Sequence, residues 1–420
     1  MMRRLWVQVH RYVGLFMAGF LVVIGLTGSI IVFNPELNAW LNPPPVVNVR
    51  DAPTMSPLRL REIAAEREPR GIFNSVNLHP RRGEAYAAYV EPRVDPKSGE
   101  PYLLGFSSVY LDPWTGDEVG RDGSGDSLWP VTSHNVMTLI NRLHYQLAVP
   151  EMIGTYLFGI VALLWTLDCL VALYLTFPAP HHGGGQRHRS PRAWLQRWWN
   201  PSWVIKRRAS FFRVNFDIHR AGGLWTWLLL LAFAWSSVGF NLSEQVYTPV
   251  MRTVFGMPDV YGNTLPDKSG GPPEPAMGWE AAHETAQRLL AGELQKHDLS
   301  LEYEDWFVFL PDKRVFLYAV RTSRDLATEG GGSILIFDEA GHFVSFYIPT
   351  GHNAGSTINS WIFALHMAKI GGMPYRLFVV ALGIFVAGLS ITGVYIWWKK
   401  RKARSFHARQ SVSGRPQSPA

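Results

Sequence analysis

Residues 10–33 read HRYVGLFMAGFLVVIGLTGSIIVF, an apolar run in which Arg11 is the only charged residue. A helix needs about 20 apolar residues to cross the hydrocarbon core of a bilayer, so Tyr12–Phe33 predicts a membrane-spanning helix. The run is too long for a signal peptide, and no small-x-small cleavage site follows it. Three later runs have the same character, namely Met152–Phe177, Ala221–Phe240 and Leu377–Trp398. We therefore predict an α-helical membrane protein with a four-transmembrane-helix bundle.

The chain repeats its own order of motifs. His10-Arg11-Tyr12-Val13-Gly14-Leu15 and His219-Arg220-Ala221-Gly222-Gly223-Leu224 share the pattern H-R-x-x-G-L at the first and third spans. A second pattern, L-H, comes before the second and fourth spans, as Leu143-His144 and Leu365-His366. This order indicates an internal duplication in which each half has a span, a polar segment and a second span.

Composition narrows the class of protein. Of 420 residues, 47% are hydrophobic and 17% are charged, whereas soluble proteins carry nearer a quarter charged residues. The single cysteine, Cys169, excludes an intramolecular disulfide and any zinc or iron–sulfur site built from cysteines. The net charge of +7 comes from basic residues beside the apolar runs, which indicates membrane topology and no nucleic-acid partner.

Basic residues predict the orientation. They lie before the first span, between the second and third, and after the fourth, and no acidic residue occurs from Ala179 to Phe216. Since Lys and Arg accumulate on the cytoplasmic side, we expect both termini and the middle loop to be cytoplasmic. Within that loop, Ala193–Ile205 mixes tryptophan with basic residues, which is typical of a helix lying on anionic lipid.

Two polar segments remain outside the membrane. Each has a helix signal, Ser56–Arg67 and Gly278–His297, followed by alternating strands. The predicted strands are Glu84–Val90, Phe106–Leu111, Trp306–Leu310, Val315–Val320 and Ile334–Phe337. We expect two small α+β domains. The predicted organisation is helix 1 (1–33), a first outer domain (34–150), helix 2 (151–178), a basic loop (179–216), helix 3 (217–241), a second outer domain (242–375), helix 4 (376–400) and a disordered cytoplasmic tail (401–420).

The four histidines of the repeated motifs have the pattern of haem ligands. This topology pairs His10 with His219 near the cytoplasmic face and His144 with His366 near the outer face. A b-type haem needs two neutral imidazoles and no cysteine, and the chain has no C-x-x-C-H motif for covalent attachment. As isolated residues, the same histidines would serve as interfacial polar groups or helix caps.

The neighbouring arginines, Arg11 and Arg220, have two interpretations. They could neutralise haem propionates at the cytoplasmic face, or they could be ordinary topology-determining charges.

Three further residues are candidates for a role in activity. Asp168 lies inside the second apolar run, where a carboxylate is costly and often functional. It could take a proton that accompanies electron entry, or it could hydrogen-bond to a neighbour, for which the candidates are Trp235, Ser236 and Ser237. His134 and His352 stand before the L-H motifs. Each could hydrogen-bond a haem propionate, line a substrate cleft, serve as an alternative axial ligand, or be a plain loop residue.

These motifs resemble those of the PepSY-associated transmembrane proteins, and among them the bacterial inner-membrane ferric-siderophore reductases. The resemblance rests on the H-R-x-x-G-L and L-H motifs and on two further stretches. These are Tyr110-Leu111-Asp112-Pro113-Trp114-Thr115-Gly116 and Thr392-Gly393-Val394-Tyr395-Ile396-Trp397-Trp398-Lys399-Lys400. It implies a multi-pass inner-membrane protein with two haems b, with the four histidines as axial ligands of the iron, and with periplasmic PepSY-like domains. The implied reaction is the reduction of siderophore-bound Fe(III) to Fe(II).

The chain shows no nucleotide-binding motif, so the expected electron donor is a membrane quinol or a separate cytoplasmic reductase. Two other functions stay open. The protein could be a haem electron carrier for another periplasmic acceptor, or a haem-free membrane protein whose outer domains bind or inhibit a partner.

Overall fold

The computed structural model describes residues 2–122, 128–178, 191–258, 260, 265–268 and 271–413. The chain divides into two units. One, here the membrane unit, consists of Met1–Val32, Ile140–Tyr247 and Met373–Ala420; the other, here the sheet unit, consists of Phe33–Leu139 and Thr248–Gly372.

The described helices and strands follow the order that the sequence predicts. The α-helices are α1 (Met2–Ile31), α2 (Asn34–Leu41), α3 (Pro57–Arg67), α4 (Val136–Gln146), α5 (Glu151–Thr176), α6 (Pro191–Trp203), α7 (Phe211–Asp217), α8 (Gly223–Trp225), α9 (Trp227–Asn241), α10 (Thr248–Phe255), α11 (Trp279–His297), α12 (Ala354–His366) and α13 (Gly372–Ser413). The strands are β1 (Gly71–Ile72), β2 (Ser75–Asn77), β3 (Tyr86–Tyr89), β4 (Glu91–Pro92), β5 (Ser108–Leu111), β6 (Glu118–Arg121), β7 (Leu301–Leu310), β8 (Val315–Thr322), β9 (Ser333–Asp338) and β10 (Phe343–Tyr347). Two π-helical turns lie at Ile218–Gly222 and Ser243–Tyr247.

Among the described residues, three helices are long and apolar enough to cross a membrane, namely α1, α5 and α13. The third predicted span is a bent pair, Phe211–Trp225 and Trp227–Asn241, whose axes differ by 69°. The break falls at Thr226, whose backbone is at φ −98° and ψ 0° and whose hydroxyl donates to the Gly222 carbonyl. The sequence predicted a single span, Ala221–Phe240, from its uncharged apolar run, and apolarity alone does not reveal a break.

Helix α1 runs antiparallel to α5 and α13. At its start, Arg3 donates to the carbonyls of Leu175 and Phe177 at the end of α5. At its far end, the Val32 carbonyl accepts from Arg376, which lies near the start of α13. Cations thus satisfy carbonyls that have no helical partner beyond a helix end.

The centre of the membrane unit is packed from apolar side chains of four elements, which include Met17, Leu21, Val161, Trp165, Leu230 and Leu382. Helices α1 and α13 approach closely where glycines face each other. A Cβ at Gly25 would lie 2.5 Å from the Gly383 carbonyl oxygen, so a side chain there would force the helices apart. Small residues allow such contacts between membrane helices, where dispersion replaces the hydrophobic effect as the driving force.

The sheet unit is built around a five-stranded antiparallel sheet of order β10-β9-β8-β7-β2. Helix α11 covers this sheet by burying Ala282, Ala286 and Leu290 against Phe307 and Phe316. Each fully buried phenylalanine contributes about 1.5–3 kcal/mol. A three-stranded sheet of order β3-β5-β6 and the pair β1-β4 complete the unit.

The predicted helix Ser56–Arg67 is present, with Ser56 as the N-cap that accepts from the Arg59 amide. The sheet pairing adds a feature that the sequence did not predict. Strand β2, from the first outer segment, pairs with β7 from the second in the register Val76↔Phe307. The two segments, expected as separate α+β domains, therefore share one sheet.

Helix α13 continues to Ser413, beyond residue 400, where the sequence predicted that the fourth span would end. Part of the stretch predicted to be a disordered tail is therefore helical. Residues 414–420 of that tail, and the start of the predicted basic loop at 179–190, lie outside the described residues.

Candidate functional site

Each of the four motif histidines lies on a helical element. His10 is within α1, which starts at Met2, and His219 is in the π-helical turn Ile218–Gly222. His144 and His366 lie in the last turns of α4 and α12. Helical structure begins at Met2 and at Phe211, before the apolar runs that follow His10 and His219. A π-turn within a helix often occurs at a functional position.

The imidazoles of His10 and His219 face each other in the membrane unit. Their ring centroids are 6.3 Å apart, and the ring planes are inclined by 53°. A metal–nitrogen bond is about 2.0 Å, so two imidazoles on opposite sides of one iron have centroids about 6 Å apart once the ring radius is added. The separation thus fits two imidazoles that would hold one iron between them.

Asp168 on α5 holds the His10 ring. Its two carboxylate oxygens lie 3.0 and 2.9 Å from His10 Nδ1, and its side chain is 8% exposed. The bond engages Nδ1 and so leaves Nε2, on the other side of the ring, as the nitrogen that could bind a metal. Carboxylates commonly orient ligand histidines in this way.

This contact corrects the expectation for Asp168. Two interpretations were open for Asp168, a proton acceptor or a hydrogen bond to a neighbour such as Trp235, Ser236 or Ser237. The observed neighbour is His10, and both serine hydroxyls donate to the Phe233 carbonyl. Sequence reasoning identified Asp168 and His10 separately and missed that they pair. The pair could have been found by comparing how deep each residue lies in the membrane. Asp168 lies near the end of α5, and that end meets the start of α1, where His10 lies.

His219 is held through the same nitrogen by neutral groups on α13. Its Nδ1 lies 3.0 Å from the Leu389 carbonyl oxygen and 3.0 Å from Thr392 Oγ1. Gly393 leaves room for the ring, because a Cβ at that position would be 3.1 Å from His219 Cε1.

His144 has the same arrangement against α1. Its Nδ1 lies 3.1 Å from the Ile24 carbonyl oxygen and 3.2 Å from Thr27 Oγ1. A Cβ at Gly28 would be 2.9 Å from His144 Cε1. In both cases a threonine, the carbonyl three residues before it and the glycine after it surround the ring. We call this arrangement the Thr-Gly cradle.

The sequence carries a signal for the cradle beside the histidine motifs. Leu26-Thr27-Gly28 and Ile391-Thr392-Gly393 repeat an aliphatic-Thr-Gly triplet in the first and fourth spans. The first triplet lies near the end of α1. The second contacts His219, whose ring faces His10 near the start of α1. At 1.5 Å per residue, Thr27 is roughly 25 Å along the helix from His10, so the cradles lie at opposite ends of the membrane unit.

The remaining predicted site residues are not brought together in this way. His366 is half-buried in the sheet unit, and His144 belongs to the membrane unit, so their pairing stays a prediction. His134 and His352 are exposed. The His352 ring packs edge-on against His297, with centroids 5.1 Å apart. Among the residues that the structure describes, no group of three or more His, Cys, Asp or Glu side chains could hold a metal ion.

The two arginines beside the motif histidines differ. Arg220 pairs with the fully buried Asp217 at 2.8 Å, while its buried Nε has no hydrogen-bond partner in the described part of the chain. Arg11 is half-buried. Asp217 was not singled out from the sequence, and it also accepts from Arg213 and from the Lys206 amide. This carboxylate anchors the turn that carries His219.

Comparison with known families finds a match that covers nearly the whole chain. The family model described as the PepSY-associated TM region matches residues 7–400, a range that includes all four motif histidines. No curated protein matches this chain in sequence.

Proposed function

This chain belongs to the PepSY-associated transmembrane family, and from that premise we propose that it is a di-haem b oxidoreductase. It carries electrons across the bacterial inner membrane to a periplasmic ferric siderophore, reduces Fe(III) to Fe(II) and thereby releases the iron. In this proposal four spans form the bundle, both termini are cytoplasmic, and the outer segments are periplasmic PepSY-like domains.

One observation carries the haem assignment, namely the facing imidazoles of His10 and His219 at 6.3 Å. Both rings are held through Nδ1, which fixes the tautomer and directs Nε2 to the ligand position. Two histidines with a purely structural role would not need a spacing that suits a metal, nor would both need to be held through Nδ1. The repeated Thr-Gly cradle around His144 extends the argument to a second haem, whose other ligand in this proposal is His366.

Bound haem supplies an iron that accepts and donates one electron at a time. The protein binds and orients it. His10 and His219 would hold one haem near the cytoplasmic ends of their helices, and His144 would hold the other near the outer end of α1. The partnerless Nε of Arg220 is a donor available to a haem propionate. Arg11 has the same role in the proposal.

The acceptor follows from the family resemblance and from chemistry. Siderophores bind ferric iron through hard oxygen ligands, and ferrous iron is held poorly by such ligands, so one-electron reduction releases the metal. The donor is a membrane quinol or a separate reductase. His134 and His352 are exposed on the sheet unit and are candidates to line the docking surface.

Haem content tests the proposal. Purified protein is expected to show a Soret band and a reduced b-type α band, with two haems per chain by pyridine haemochromogen assay. His219→Ala is expected to lose one haem, because it removes an axial ligand, while the matched control His134→Ala keeps both. A colourless, folded wild-type protein would refute the haem assignment.

The acceptor is tested separately. Dithionite-reduced protein, freed of excess reductant, is mixed with a ferric hydroxamate siderophore and a chromogenic ferrous chelator. Rapid reoxidation of the haem with matching appearance of ferrous iron is expected. Haem that stays reduced would leave the carrier function, with another periplasmic acceptor, as the better interpretation.

A further inference from the structure

The two imidazoles of the His10–His219 pair are held by acceptors of different charge. His10 faces a carboxylate, with Asp168 Oδ2 at 2.9 Å. His219 faces the neutral carbonyl of Leu389 and the hydroxyl of Thr392. Both rings are held through Nδ1, and they differ in the charge of the group that holds them.

No lysine or arginine side chain forms an ion pair with Asp168 in the described part of the chain. Among the described residues, its only ion-pair partner is His10. The Asp168 side chain is 8% exposed, and it lies in a helix of the membrane unit beside the buried Trp165 and Cys169. Low dielectric surroundings make such a charge act more strongly on its neighbours than it would in water.

A hydrogen bond from an imidazole N–H to a carboxylate raises the basicity of the other ring nitrogen. A more basic axial ligand, with a negative charge behind it, favours the more positive oxidation state of the iron that it binds. Second-shell hydrogen bonding and axial ligands are the means by which proteins adjust haem potentials.

We propose that Asp168 is a positioning residue that lowers the reduction potential of the haem held by His10 and His219. The inference rests on the proposed function, since it requires a haem at this pair. The two neutral acceptors on His219, and the same neutral pair on His144, supply no such charge. A low potential at the cytoplasmic end of the bundle makes electron transfer toward the outer haem favourable.

Redox titration tests the inference. Wild-type protein and the variants Asp168→Asn, Asp168→Glu and Thr392→Val are titrated in detergent while the α band is followed. Asp168→Asn is expected to raise the midpoint of one haem by at least 59 mV, which is tenfold in the equilibrium constant of a one-electron couple. The other haem should not move. Asp168→Glu keeps the carboxylate, so the midpoint of that haem should stay close to the wild-type value.

Thr392→Val is the matched control on the opposite ligand. It removes one neutral acceptor and leaves the Leu389 carbonyl, so its expected shift is smaller than that of Asp168→Asn. A midpoint that is unchanged in Asp168→Asn, with both haems present, would overturn the inference and leave the proposed function intact. A wild-type protein without haem would refute the proposed function itself.

A second measurement covers the case in which Asp168→Asn loses a haem. The near-infrared charge-transfer band of the oxidised wild-type protein reports the electron density on the axial imidazoles. Two haems with bands at different energies support the inference, and two haems with identical bands contradict it.

Discussion

Both units of the protein contain carboxylate–histidine pairs, and two of these pairs, His10–Asp168 in the membrane unit and His283–Glu304 in the sheet unit, differ in what surrounds the imidazole. In the membrane unit, His10 bonds to Asp168 through Nδ1, and its ring faces His219. In the sheet unit, His283 bonds to Glu304 through Nε2 at 2.7 Å. Its ring packs on aromatic side chains, with the centroids of Phe307 and Tyr318 both 5.7 Å away.

The difference shows how the same chemical pair serves two purposes. Around His283 the neighbours are core residues of the sheet, so the pair satisfies polar groups beneath α11 and adds stability. Around His10 the neighbour is a second imidazole at a spacing that suits a metal between them. The geometry of the second ring, and not the pair itself, distinguishes a structural histidine from a candidate ligand.

Exchanging the two histidines for phenylalanine gives the largest expected effect. Under the proposed function, His10→Phe should remove one haem of two, because His10 is one of the two imidazoles proposed to hold it. His283→Phe should keep both haems and lower the free energy of unfolding by about 1 kcal/mol, since a partly buried hydrogen bond is lost. Haem assay and denaturation followed by tryptophan fluorescence measure the two effects. Haem loss in His283→Phe, or retention in His10→Phe, would remove the distinction between the pairs.

The Thr-Gly cradle gives a sharper test with a smaller effect. Gly393→Val places a side chain against the His219 ring, so it should weaken retention of the haem at this pair by about 10–100-fold, as loss of outer-shell support does. Gly388→Val is the matched control on the same helix, because nothing lies within 4 Å of a Cβ there. The rate of haem transfer to apomyoglobin is the measurement.

The same comparison applies to α1. A Cβ at Gly28 meets His144, whereas one at Gly19 meets nothing within 4 Å. Gly28→Val should therefore weaken retention of the haem proposed at His144. Gly19→Val should weaken retention of neither haem. Equal haem loss from the glycine variants and their controls would mean that the cradle plays no part in holding the ring.

The pH dependence of stability gives the smallest effect and concerns the sheet unit. Burial raises the pKa of Glu304, but hydrogen bonds from His283 and Gln287 lower it more, so the pKa falls from 4.5 to about 2. A carboxylate with a lowered pKa stabilises the fold above its unfolded pKa, and this stability is lost as the pH falls toward the folded value. Wild-type Tm should therefore drop more steeply between pH 5 and 3, roughly the upper part of that window, than the Tm of Glu304→Gln.

Glu284→Gln is the control for that measurement, because Glu284 is an exposed carboxylate on the same helix as His283. It should follow the wild-type curve. If Glu304→Gln also follows that curve, the bond to His283 contributes no pH-dependent stability.

Much of the fold could be predicted from the sequence. Apolar length predicted α1, α5 and α13, and alternation predicted β8 as Val315–Val320, which extends to Thr322 in the structure. The break at Thr226 and the π-turn that carries His219 could not be predicted, because neither changes the apolar pattern. The pairing of β2 with β7 was also missed, since strands far apart in the chain carry no local record of their partner.

The candidate site, too, was predicted from the sequence only in part. The repeated motifs singled out His10, His219, His144 and His366, and Asp168 was conspicuous as a charge in an apolar run. The cradles around His219 and His144 were not predicted, because a threonine next to a glycine is common in membrane helices and acquires meaning only when a ring packs on it.

The sequence by itself determined that the protein is a membrane protein with duplicated histidine motifs, because apolar length and basic flanks are local properties. Only the tertiary structure decided that His10 faces His219 at 6.3 Å, that Asp168 holds one ring and that Thr392 holds the other. Those contacts join α1, α5, α13 and the bent pair Phe211–Trp225 and Trp227–Asn241. The packing of separate helices sets such distances, and no spacing within one helix encodes them.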